Sequence, residues 1–122
     1  MSYSKLEQII NLSFEKKEKV GPKSDKKLIK AIYETINLVD SGKIRVANKQ
    51  NGSWVVNQWI KKAILMSFRI NKMEMMKGPY TTWYDKVPGK TVKWKKKDWK
   101  KAGYRHVPNG AVSYTHLTLP TT

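Results

Sequence analysis

The chain has 122 residues, with 25 Lys+Arg against 9 Asp+Glu for a net charge of +16, and no cysteine. That length holds one domain with a modest core, and the lack of cysteine excludes disulfides, thiolate metal sites and cysteine nucleophiles. An apolar run long enough to span a bilayer is missing, and the opening MSYSKLEQ lacks the apolar stretch of a signal peptide, so a soluble, cytoplasmic protein is expected.

The first helix is predicted to start at Ser4, which stands with Glu7 in the S-x-x-E capping relation. Leu6, Ile9, Ile10 and Phe14 form its apolar stripe, and Gly21-Pro22 is expected to end it. A second helix is predicted from Ser24 or Asp25, with Leu28, Ile32, Ile36 and Val39 on one face and Gly42 closing it as a C′ glycine. The two should pack as a helical hairpin.

Residues 42–71, GKIRVANKQNGSWVVNQWIKKAILMSFRIN, carry the strongest turn signal and the longest apolar run. Asn51-Gly52 lies between two segments rich in β-branched residues, which predicts a two-residue type I′ hairpin pairing Lys49 with Trp54 and Ala47 with Val56. Trp54, Val56 and Ala47 would share a face. From Gln58 the apolar spacing becomes helical, with Ile60, Ile64 and Phe68 in line and Ala63 and Ser67 beside them, and this helix should be the buried one.

After Asn71 the pattern loosens. Residues 72–90 contain two prolines and two glycines and are predicted as loop with a short strand at 80–84. A short helix is predicted over 96–101, stopped by Gly103, and a strand over 104–107. Residues 112–122, VSYTHLTLPTT, contain no charged side chain, although 28% of the whole chain is charged. This string resembles one reading frame of a sequencing adaptor translated as coding sequence, so residues 1–111 are expected to be the native domain and 112–122 read-through.

The positive charge invites a nucleic-acid reading. Lysine dominates it, however, and arginine, which makes bidentate contacts to bases and phosphates, occurs only at Arg45, Arg69 and Arg105. The segment KWKKKDWKK at 93–101 is its best support, since Trp94 and Trp99 could stack on bases of a single strand while lysines hold phosphates. A solvated lysine-rich helix anchored by the two tryptophans is the favoured alternative. Catalytic constellations are missing: there is no P-loop, G-x-G-x-x-G, H-E-x-x-H or G-x-S-x-G, and the acids stand singly. With only His106 and His116, no metal site is expected. Met73, Met75 and Met76 are expected to fill gaps or an interface.

Three blocks carry more information: LVDSGKIRVANKQNGSWVVNQWIKKAILMSFRIN at 38–71, YDKVPGK at 84–90 and GYRHVPNGAV at 103–112. In this order they resemble the N-terminal region of the tetrahydrodipicolinate N-succinyltransferases, with Tyr84 and Tyr104 standing where that family has Phe. The resemblance implies a small α+β domain, two or three packed helices with one β-hairpin, preceding a left-handed parallel β-helix that is not found in this chain. It implies a cytoplasmic homotrimer that moves succinyl from succinyl-CoA, a co-substrate rather than a bound cofactor, to the amine of ring-opened tetrahydrodipicolinate in lysine and diaminopimelate synthesis. Arg105 matches the family arginine that binds the dicarboxylate substrate, and a guanidinium fork suits that task. The family's catalytic acids and coenzyme A contacts lie in the β-helix, so no catalytic residue is assigned here. An N-terminal fragment, inactive alone, is expected.

Overall fold

A computed structural model describes residues 1–107. It divides into two units, residues 1–88 and residues from 89 onward. The fold class is α+β: the described residues form four α-helices and two separate two-stranded antiparallel sheets. Residues 112–122, read from sequence as adaptor, lie outside the described residues.

The first unit opens with α1 (Tyr3–Phe14). Its N-cap is Ser2 rather than the predicted Ser4, the Ser2 hydroxyl accepting from the Lys5 N–H at 3.4 Å. Serine at either position could accept such a bond, and starting two residues earlier adds about half a turn to the helix. The helix also ends sooner than predicted, at Phe14, because residues 15–19 are all charged and offer nothing to bury. A single 3-10 turn, Lys17–Lys19, leads instead to the buried Val20.

Helix α2 (Lys26–Asp40) buries Ala31, Ile32 and Thr35, with the predicted Leu28, Ile36 and Val39 packed at the margin of the core. The Thr35 hydroxyl donates to the Ala31 carbonyl at 2.8 Å, so its burial leaves no polar group unsatisfied. Gly42 closes the helix as predicted: at φ +75° its N–H bonds the Val39 carbonyl while the Lys43 N–H reaches Leu38, a Schellman motif. A Cβ at Gly42 would meet nothing within 4 Å, so Gly42→Ala should cost only its backbone strain, about 1 kcal/mol, read as a lowered urea midpoint with unchanged m-value.

Strands β1 (Ala47–Gln50) and β2 (Ser53–Val56) pair in the predicted register, Ala47 opposite Val56 and Lys49 opposite Trp54. Asn51 and Gly52 both have positive φ, 49° and 81°, as a type I′ turn requires. The hairpin strands contribute no residue to the buried core. Trp54 is 69% exposed and Val56 46%, because no described element covers that face; the Lys49 ammonium sits 5.6 Å from the Trp54 ring instead.

Helix α3 (Gln58–Ile70) supplies the largest share of the core: Trp59, Ile60, Ala63, Met66, Ser67 and Ile70 are buried. The face is rotated from the predicted stripe. Ile64 is half-buried and Phe68 is 42% exposed, whereas Trp59, Met66 and Ile70 face inward. The turn is physical: α3 packs on both α1 and α2, and a helix wedged between two neighbours buries a wider arc than a single i, i+4 row. Asn57, ahead of α3, holds the hairpin to the helix, donating through its side-chain amide to the Arg45 carbonyl at 2.7 Å and to Asn48 Oδ1 at 2.9 Å.

A second hairpin, β3 (Glu74–Lys77) with β4 (Thr82–Asp85), occupies much of the stretch predicted as loop. Its β4 corresponds to the predicted strand at 80–84, shifted by two residues at its start. The first strand, EMMK, carries no β-branched residue and so has no strand signal. At the turn Gly78 lies under the Trp83 ring, where any Cβ would collide with it. Lys86, just beyond β4, donates to the Phe68 carbonyl at 2.7 Å, placing a cation on the C-terminal end of α3.

In the second unit, α4 (Lys96–Ala102) forms where expected and Gly103 ends it in the left-handed region at φ +73°. Residues 104–107 are not the predicted strand; no partner strand pairs with them among the described residues.

Candidate functional site

Arg105, the residue to which the family resemblance gives a substrate-binding role, is exposed and sits three residues past the end of α4. Seven residues make a helix too short to persist on intrinsic propensity. Its ends are well chosen: the Asp98 carboxylate accepts from the Lys95 N–H at 2.8 Å in the first turn, and Lys100 and Lys101 lie in the last, each suiting the helix dipole. The Gly103 N–H bonds the Trp99 carbonyl at 3.1 Å. The left-handed glycine then turns the chain back toward α4.

That reversal assembles four rings. Trp94 and Trp99 meet edge to face with centroids 4.8 Å apart and 66° between planes. Tyr104 packs on both, at 6.3 Å from Trp94 and 5.8 Å from Trp99, and His106 lies 5.7 Å from Trp99. Such offset and edge-to-face pairs contribute about 0.5–1.5 kcal/mol each beyond the area they bury. The five-residue spacing of the tryptophans, which fits no helical face, is explained because Trp94 precedes α4 and packs across its first turn onto Trp99. Arg105 stands between Tyr104 and His106, the two residues held on Trp99. Among the described residues its guanidinium has no hydrogen bond or ion pair.

The arrangement suits capture of a carboxylate. A guanidinium with free donors can accept a bidentate oxyanion partner, and its fork is matched to carboxylate geometry. It does not suit base stacking equally well, because the Trp94 and Trp99 rings are half-buried against each other.

The first unit holds a cleft of its own. It encloses about 400 Å³ and is lined by residues including Tyr3, Glu7, Arg45, Asn48, Asn57 and Trp59. Among its described lining residues Glu7 is the only acid, so they offer no acid/base couple. Among the described residues no cluster of three His, Asp or Glu could hold a metal ion, and no helix is long and apolar enough to cross a membrane. Sequence reasoning did not anticipate the ring cluster around Arg105; the signal available was four aromatic or imidazole residues, 94, 99, 104 and 106, around one glycine stop.

Comparison with known proteins adds an independent line. The family profile described as tetrahydrodipicolinate N-succinyltransferase N-terminal matches residues 5–70. A 2,3,4,5-tetrahydropyridine-2,6-dicarboxylate N-succinyltransferase of Pelagibacter ubique is 51% identical over 109 residues, covering 87% of this chain and 40% of its own length. Proteins of the same name from Bartonella tribocorum and Parvibaculum lavamentivorans are 40% and 42% identical, covering 96% and 98% of this chain. The chain spans about two fifths of the length of these curated relatives.

Proposed function

The chain belongs to the tetrahydrodipicolinate N-succinyltransferase family, and from that premise we propose that it supplies the N-terminal, substrate-recognising part of an enzyme that moves succinyl from succinyl-CoA to ring-opened tetrahydrodipicolinate. The observation that carries the proposal is Arg105, an exposed guanidinium between two ring-held neighbours, in a chain half identical to a protein named for this reaction.

In the proposed reaction the substrate amine attacks the thioester carbonyl. A C–N bond forms, the C–S bond breaks, coenzyme A leaves as thiol, and the amine proton passes to a base. This chain's contribution is orientation: Arg105 holds one carboxylate of the dicarboxylate substrate, so the amine at the other end is presented in a fixed direction. The base and the coenzyme A contacts belong to the part of the enzyme that relatives have and this chain does not include. On this proposal the whole enzyme acts in lysine and diaminopimelate synthesis, in the cytoplasm, as a homotrimer.

A chimera tests the proposal. Residues 1–107 replace the matching segment of the Pelagibacter ubique relative, and coenzyme A release is followed with a thiol reagent. The chimera should turn over and the 122-residue chain alone should not. A folded chimera without activity would overturn the proposal, and so would turnover by the chain alone.

A further inference from the structure

Taking Arg105 as the carboxylate receptor, a reading on which this step rests, we infer that Trp99 is a positioning residue for it: its ring holds both chain neighbours of Arg105 and thereby fixes the backbone that carries the guanidinium. Trp99 is the hub of the second unit, meeting Trp94 at 4.8 Å, Tyr104 at 5.8 Å and His106 at 5.7 Å. Its own carbonyl receives the Gly103 N–H, so the residue that caps the turn also anchors residues 104 and 106 beyond it.

Two features separate positioning from simple packing. The held residues are the two flanking Arg105, and Arg105 itself is left exposed and unpaired among the described residues. Among the described residues, 104–107 also lack a strand partner, so no backbone ladder there fixes them and the ring contacts take that place. A long, flexible arginine loses rotamer freedom when it captures an anion, and a mobile backbone would add its own ordering to that cost. With Tyr104 and His106 seated on Trp99, the backbone part is already ordered before substrate arrives. The T-shaped Trp99–Tyr104 pair sets an orientation as well as a contact, since the positive edge of one ring meets the negative face of the other.

The test uses the 122-residue chain, observed by NMR, with pimelate as a seven-carbon dicarboxylate probe. In the wild type the backbone amides of residues 104–106 should show the heteronuclear NOE of ordered backbone, and pimelate should shift the Arg105 Nε–H saturably. Trp99→Leu should lower the NOE at 104–106 and weaken pimelate about 2- to 10-fold, while Trp99→Phe, which keeps a ring, restores most of both. Should Trp99→Leu melt α4, Tyr104→Leu, placed beyond the helix, is expected to give the same losses with α4 intact. Equal pimelate binding and unchanged order in the wild type and Trp99→Leu would overturn the positioning role while leaving Arg105 as receptor. A wild type whose Arg105 Nε–H does not respond to pimelate would overturn the receptor reading and this inference with it.

Discussion

Replacing Ile60 by Ala should lower the stability of the three-helix unit by about 2–5 kcal/mol, the range for truncating a fully buried aliphatic side chain. Ile60 is 1% exposed on α3, the helix that packs on both α1 and α2, so shortening it opens a cavity where all three helices converge. Small domains have about 5–15 kcal/mol in total, and such a loss removes a large share of it. Phe68, on the same sequence stripe, is 42% exposed, and Phe68→Ala should cost about 1 kcal/mol or less. Urea unfolding followed by far-ultraviolet circular dichroism compares the two. Equal losses would mean that α3 buries the row read from sequence rather than the face seen in the structure.

The second large effect concerns binding. In the active chimera, Arg105→Ala should reduce kcat/KM about 10- to 100-fold, the range expected when a charge-assisted hydrogen-bond pair to a carboxylate is lost. Arg105→Lys should recover part of this, since it keeps the charge but not the planar fork. The unfolding free energy should stay within about 0.5 kcal/mol of the parent because Arg105 is exposed. A stability loss matching the activity loss would make Arg105 a structural residue instead.

The elements most legible in the sequence were those whose signal is local. Asn51-Gly52 dictated both the turn and the register of the first hairpin, because few other dipeptides accept two positive φ angles. Gly42 and Gly103 marked their helix ends for the same reason. The features that sequence could not supply depended on neighbours. Ser2 and Ser4 are equivalent caps by residue type, so sequence alone does not choose between them. The α3 face turned toward Trp59, Met66 and Ile70 because two helices, not one, press on it. The second hairpin was hidden because EMMK lacks strand-favouring residues and is held by pairing with TWYD.

The site was half legible. Arg105 came from family blocks rather than from periodicity, and no composition argument would have chosen it among 25 basic residues. Its surroundings could not be read because Trp94, Trp99, Tyr104 and His106 share no helical or strand period. They converge only once Gly103 turns the chain back. The same geometry explains why the basic-aromatic run resembled a nucleic-acid binder: two tryptophans in a lysine-rich segment look available for stacking until they are seen packed on each other.

The proposed contact between Arg105 and a substrate carboxylate is tested most directly by a double-mutant cycle in the chimera. Arg105 is paired with Ala, and the dicarboxylate substrate with its analogue carrying one carboxamide, with kcat/KM measured for all four combinations. Loss of either partner should cost about 10- to 100-fold, and loss of both little more than loss of one. Strictly additive losses for both carboxamide positions would contradict the account, because Arg105 and the substrate carboxylates would then act independently.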